Sequence, residues 1–220
     1  MLAKEDYLKA LLEDSKNDEL PKHKVFVSFH SDDEAYRDLL IQWNNGEKHN
    51  LFADYSVGSG DISDDLEDET IRRKIRAEYI QHASVLVLLC GEHTKERKFV
   101  DWELQAAMSD PDNKMGILVI NLPTIKQWEF SGTKEDRELL EVVPRNWQTI
   151  SDRATFEEKY PFLPSRIIDC LANKDSQICI VNWSLIQSDH DLLVKLIDSA
   201  FNRREEMKYD YSAPLRRRNS

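Results

Sequence analysis

The sequence predicts an α/β domain of three layers with a mostly parallel five-stranded sheet. Short apolar or β-branched runs recur along the chain, helix-length amphipathic runs separate them, and one segment, "SVLVLLCG" (84–91), is apolar almost throughout. Alternating strands and helices imply parallel pairing through right-handed crossovers. A strand without polar interruption belongs in the middle of a sheet covered on both faces. In such sheets ligands bind beyond the carboxyl ends of the strands, so functional residues are sought there.

The elements follow in order. "DYLKALLEDS" (6–15) carries Tyr7, Leu8, Leu11 and Leu12 at helical intervals, and "KNDELPKH" reads as a connector, so residues 1–21 form a leading helix and linker. "KVFVSF" (24–29) is the first strand. In the helix after it, "HSDDEAYRDLLIQW", Ser31 can cap and Asp32, Asp33 and Glu34 suit the positive helix end. "NLFADYSV" (50–57) is the second strand; the loop "GSGDISDD" and a helical run with an apolar face of Leu66, Ile71, Ile75, Tyr79 and Ile80 follow. The third strand, 84–91, leads into "KERKFVDWELQAAM" (95–108), a helix-forming run that carries Glu103 in its middle. "KMGILVINL" (114–122) and "QICIVNW" (177–183) complete the sheet, and Leu192, Leu193, Leu196, Ile197 and Phe201 mark a closing helix. Residues 123–176 are broken by Pro123, Pro144, Pro161 and Pro164 and yield one clear helix, "SRIIDCLA". The domain is expected over 22–205, with 206–220 a basic, flexible tail.

Composition narrows the function. A 220-residue chain with 40% hydrophobic residues can bury one sizeable core, and its net charge of −11 argues against a nonspecific nucleic-acid or membrane-surface partner. No run approaches a membrane span, and the charged first 20 residues do not resemble a secretory signal, which gives a cytoplasmic expectation. Cys90, Cys170 and Cys179 lack metal-ligand spacing and are expected to remain thiols.

Several chemistries fail at the strand ends. A phosphate site after the first strand needs glycines or hydroxyls, but the turn there reads "HSDDE". A phospho-acceptor receiver needs an aspartate after the third strand and a lysine after the fifth, where this chain has "CG" and "NW". The six histidines form no pair at i,i+3 or i,i+4, so no metal is expected, and no G-x-S-x-G elbow is present. Carboxylate chemistry remains: His30, Asp54, Ser56 and Glu103 sit at or just beyond successive strand ends. A carboxylate facing a sugar carbon can stabilise the oxocarbenium-like charge of glycosidic cleavage. Each of these residues also has a structural reading, as a helix-surface or ion-paired acid for Glu103 and as caps or turn residues for the others.

In order, these motifs resemble the TIR-like domains of Thoeris antiphage defence and their relatives. "KVFVSFHSDDE" is similar to the first TIR box, "FADYSV" to the second strand of that branch, and "GSGDISDD" falls at the BB loop. Phe99, Glu103 and Leu104 match the third box, with Phe99 in place of the usual tryptophan and Trp102 beside the glutamate. The resemblance spans about residues 22 to 205 and implies a flavodoxin-like TIR fold. It also implies cleavage of NAD, as substrate and without metal, at the nicotinamide–ribose bond. Glu103 would be the catalyst, with His30, Asp54, Ser56, Phe99 and Trp102 as substrate-binding candidates. Self-association and a separate effector that senses an ADP-ribose-derived product are the partners so implied. Two other readings are a non-catalytic TIR scaffold assembling through the 57–70 loop and a nucleoside deoxyribosyltransferase-like enzyme.

Overall fold

Five strands, β1 (Lys24–Ser28), β2 (Ala53–Asp54), β3 (Val85–Cys90), β4 (Gly116–Asn121) and β5 (Cys179–Asn182), pair in the order β2-β1-β3-β4-β5. Every pairing between them is parallel. The structure is a computed structural model that describes residues 22–46, 51–55, 70, 80–109, 114–126, 129–141, 146–173 and 178–219. The leading helix expected over 6–15 lies outside these residues.

Among the described residues the α-helices are α1 (Glu34–Gly46), α2 (Lys98–Ser109), α3 (Lys134–Leu140), α4 (Arg153–Lys159), α5 (Ser165–Ala172), α6 (Trp183–Ser188) and α7 (His190–Arg203). Side chains alternate across a strand, and that alternation sorts the core into two halves. Val25, Val27, Val85 and Val87 pack with residues of α1, α6 and α7 on one face; Phe26, Leu86 and Leu88 pack with α2, α4 and α5 on the other. All six residues of β3 and of β4 are buried, as a doubly covered sheet requires. Packing is tight enough at Gly116 that a Cβ there would stand 2.2 Å from the Ala200 carbonyl oxygen of α7.

The proline-rich stretch 123–176 holds two helices that its sequence does not advertise. A capping box starts α3: Thr133 accepts from the Asp136 backbone, and Asp136 accepts from the Thr133 backbone. Asp136 is fully buried and also meets Arg203 and Ser199 of α7, which ties this insertion to the closing helix. That closing segment is itself split. Asp189 leaves helical geometry, and its carboxylate accepts from Leu192 N at 2.9 Å, ending α6 and capping α7.

The C-terminal segment, read from its composition as a flexible basic tail, lies against the α2 side of the sheet. Arg166 of α5 is 1% exposed and forks onto Asp101 of α2, with Nε–Oδ1 2.7 Å and Nη2–Oδ2 3.3 Å. The same guanidinium donates to the carbonyls of Ala213 (3.0 Å) and Pro214 (3.3 Å), while Asp101 Oδ2 accepts from Arg216 N at 2.8 Å. Trp102 Nε1 donates to Arg216 O at 2.9 Å, and Asn219 Oδ1 accepts from Lys98 N at 2.8 Å, satisfying a free donor at the start of α2. The apolar part of the segment, Met207 and Tyr209, is buried in the core. Arg166→Ala leaves Asp101 without its ion-pair partner and is expected to lower stability by about 3–5 kcal/mol, as breaking a buried pair does. Denaturant unfolding measures this, and trypsin is expected to cut at Arg216–Arg218 faster in the variant.

Candidate active site

Neighbouring strands β1 and β3 send their following helices to opposite faces: α1 packs with the Val25 and Val27 half of the core, α2 with the Phe26 half. A crevice therefore opens between their carboxyl ends, the place where open parallel sheets hold ligands. Ser28, the last residue of β1, pairs in register with Leu88 of β3. By the strand's period of two, Ser28 points to the same face as Phe26, the face that α2 covers.

There it meets Glu103. Ser28 Oγ donates to Glu103 Oε2 at 2.6 Å, a distance typical of a charge-assisted bond. Glu103 retains partial exposure, but burial of its carboxyl pushes the pKa up to about 7. The Ser28 hydrogen bond and the charge of Arg97 act in the opposite direction. Near neutral pH this group exists as both carboxylic acid and carboxylate, and small changes around it decide which dominates.

The rim around this pair carries polar groups from both turns. After β1, residues Ser31–Asp33 form one 3₁₀ turn, and His30 Nδ1 accepts from Asp32 N at 3.1 Å to cap it. Burial lowers the His30 pKa, with Arg97 and His93 adding to the effect and Asp32 opposing it, so its imidazole is neutral at pH 7. After β3, His93 brings its ring to 5.8 Å from that of His30. Asp33 is 4% exposed, and its Oδ2 has no hydrogen-bond partner among the described residues. Burial pushes the Asp33 carboxyl up to about 6; Asp32 adds to the rise, while His93 and Thr94 oppose it. The Cys90 thiol, fully buried nearby, is pushed up by burial and by Asp33, so it stays protonated and takes no nucleophilic role. At the ends of β4 and β5, Asn121 Nδ2 lies 3.5 Å from Asn182 Oδ1, and the buried Asn121 Oδ1 lacks a partner among the described residues.

The residues singled out from sequence fall in different places. Glu103 meets Ser28 at the end of β1, and His30 lies two residues further on, capping the turn that follows. Asp54 is exposed and pairs with Val25, three residues before Ser28, so it stands about 10 Å lower along the strand direction. Phe99 and Trp102 are 7% and 4% exposed and belong to the core. Phe99 is covered by the Arg97 guanidinium at 4.6 Å, and the Trp102 indole N–H is engaged by the C-terminal segment. Neither ring offers an open stacking face. Ser56, Arg72, Arg73, Arg76 and all of the 57–70 loop except Thr70 lie outside the described residues. Ser28, Asp33, His93 and Asn121 were not read as site residues. For Ser28 the signal was available: two positions after Phe26, it shares the face that a helix following β3 must cover.

Among the described residues no group of three or more His, Cys, Asp or Glu side chains could hold a metal ion, and no helix is long and apolar enough to cross a membrane.

Raising a carboxyl pKa from 4.5 to about 7 means that the folded state binds a proton which the unfolded chain has already released between those values. The stabilisation this gives is complete below about pH 4.5 and is lost as pH rises through 7. Glu103→Gln, which is neutral at every pH, is therefore expected to exceed wild type in stability by about 1–3 kcal/mol at pH 8 and to match it at pH 4. Denaturant titrations at the two pH values check this. Ser28→Ala removes a bond that favours the ionised form and is expected to raise the Glu103 titration midpoint, followed by side-chain ¹³C NMR; an unchanged midpoint contradicts the coupling.

Residues 26–127, running from β1 past the end of β4 and including both Ser28 and Glu103, match the family model described as Thoeris protein ThsB, TIR-like domain. No curated protein matches the chain. The sheet order β2-β1-β3-β4-β5 with helices on both faces fits the flavodoxin-like TIR fold, and the site-bearing part of the sequence is similar to the TIR-like domain of the Thoeris protein ThsB.

Proposed function

We propose that the protein cleaves the bond between nicotinamide and ribose in NAD, using Glu103 as the essential carboxylate. The observation that carries this reading is the Ser28–Glu103 hydrogen bond, which fixes a carboxyl group of near-neutral pKa beside the crevice at the sheet's carboxyl edge.

The chemistry suits a single carboxylate. Nicotinamide in NAD is a pyridinium, so when the C1′–N bond breaks the electron pair passes to nitrogen and a neutral base departs without needing an acid. Positive charge then develops on C1′ and the ring oxygen. An ionised Glu103 stabilises that charge in a site of low dielectric, where a fixed charge acts far more strongly than in water. Ser28 serves by holding the carboxylate in one orientation and favouring its ionised form. The neutral imidazole of His30 can accept or donate one hydrogen bond to the substrate without repelling the cationic ring.

The ADP-ribosyl group passes to water or to another nucleophile and yields ADP-ribose or a cyclic or conjugated derivative. In the cytoplasmic defence role proposed here, that product signals to a separate effector. Self-association completes or activates the site, so activity rises faster than linearly with protein concentration. Concentrated protein incubated with NAD is expected to release nicotinamide, and Glu103→Gln to lose about 10²–10³-fold of that rate, the usual cost of removing one electrostatic stabiliser of a transition state. Chromatography of nicotinamide gives the answer; equal release by wild type and variant removes Glu103 from the mechanism.

A further inference from the structure

Asp33 stands out among the groups that the carboxylate mechanism leaves unused. It is almost fully buried, yet Oδ2 has no partner among the described residues, an arrangement that native proteins rarely keep without a use. The turn that contains it is already held by His30 Nδ1 accepting from Asp32 N and by Asp33 N donating to His30 O. The facing lip of the crevice has been cleared for it: a Cβ on Gly91, the residue directly after β3, would stand 2.2 Å from Asp33 Oδ2 and 2.4 Å from Oδ1. Gly91 is in turn fixed by its own N–H, which donates to Thr94 Oγ1 at 2.8 Å. Asp33 thus lies between the turns that follow β1 and β3, on the α1 side, while Glu103 meets the end of β1 from the α2 side.

We propose that Asp33 is the general base that deprotonates the hydroxyl nucleophile attacking C1′ of the nicotinamide ribose. This rests on the NAD-cleaving reading above. In the step, the O–H bond of water or of an alcohol breaks with its proton passing to Asp33. The oxygen forms a bond to C1′, and the C1′–N bond breaks with its electron pair on the nicotinamide nitrogen. Glu103 stays ionised throughout, and Asp33 returns its proton to solvent after product leaves. Two carboxylates reaching one crevice from opposite sheet faces divide the work: one stabilises charge on the sugar, the other activates what attacks it. The charged and titratable groups facing Asp33 are Asp32 on its own turn and His93 and Cys90 from the β3 side, with His30 beside His93.

The test compares full-length wild type, Asp33→Asn and Glu103→Gln on NAD in buffer containing methanol. Nicotinamide, ADP-ribose and O-methyl ADP-ribose are quantified between pH 5 and 8. Asp33→Asn keeps the size and shape that fit under Gly91; it is expected to slow both hydrolysis and methanolysis by about 10²-fold, in the range for loss of a general base. In wild type, log(kcat/KM) is expected to rise with a slope near two at the acid end, because two carboxyls must both be ionised, and Asp33→Asn reduces that slope to one. Should the variant fail to fold, the wild-type slope decides alone. Nicotinamide release by Asp33→Asn within about threefold of wild type, or a wild-type acid slope of one, overturns the role of Asp33 while leaving Glu103 and NAD cleavage in place. Loss of methanolysis with hydrolysis unaffected overturns it for water, and the reverse overturns it for alcohols. No release by wild type at any protein concentration overturns the NAD reading and this role together.

Discussion

The constraint on which the site depends is topological. β1 and β3 are neighbours in the sheet, but the chain leaves them toward opposite faces, α1 to one and α2 to the other. Right-handed crossovers allow no other outcome for this strand order. That divergence, set by the path of the backbone, places the crevice between the two strand ends. The residues that populate it come from two separate stretches of sequence, 28–33 and 91–103, and meet only because Ser28 pairs with Leu88 in the register of β1 with β3.

Electrostatics sets the price of that arrangement. Two carboxyl groups, Glu103 and Asp33, sit where burial raises their pKa to about 7 and about 6. Both weaken the folded state as they ionise, and the rest of the structure supplies compensation close by. A hydrogen bond to an ionised group contributes about 1.5–3 kcal/mol, which sets the scale of what Ser28 offers Glu103. The helix that carries Glu103 is held from its other side by the Arg166–Asp101 fork and the C-terminal segment, whose Asn219 caps its first turn. Stability elsewhere and strain at the crevice are thus divided between the two faces of one helix.

The fold was legible in the sequence where periodicity is strong. All five strands appear within the stretches read as strands, and "SVLVLLCG" is central and doubly covered because nothing polar interrupts it. Legibility failed where structure rests on single side chains. α3 depends on the Thr133–Asp136 capping box and on a buried ion pair with Arg203, a partner 67 residues away that no local pattern reveals. Asp189 splits one apparent helix into two through a single cap. The tail reads as solvated because its arginines dominate its composition, whereas Met207, Tyr209 and backbone carbonyls do the docking. At the site, Glu103 was legible as an acid in a largely apolar helix just beyond the third strand. Asp33 was read as a helix-start acid because its burial comes from the facing lip at Gly91, which is distant in sequence. Trp102 drew notice as the neighbour of Glu103, but a helix turns about 100° per residue and the next residue along the chain faces elsewhere, while Phe99, one turn before Glu103, is covered by the Arg97 guanidinium.

The claim that ligand chemistry happens between β1 and β3 is tested most directly by mapping NAD onto the protein with amide chemical shifts, using Glu103→Gln to prevent turnover. The largest perturbations are expected at Ser28, His30, Gly91, His93 and position 103. The molecule offers an alternative for comparison: a cavity of about 330 Å³ lined by Ser131, Arg137, Trp147 and Leu171, between the proline-rich insertion and the end of α5. Perturbations centred on Trp147 and Leu171, with Ser28 and Gly91 unmoved at saturating NAD, would contradict it.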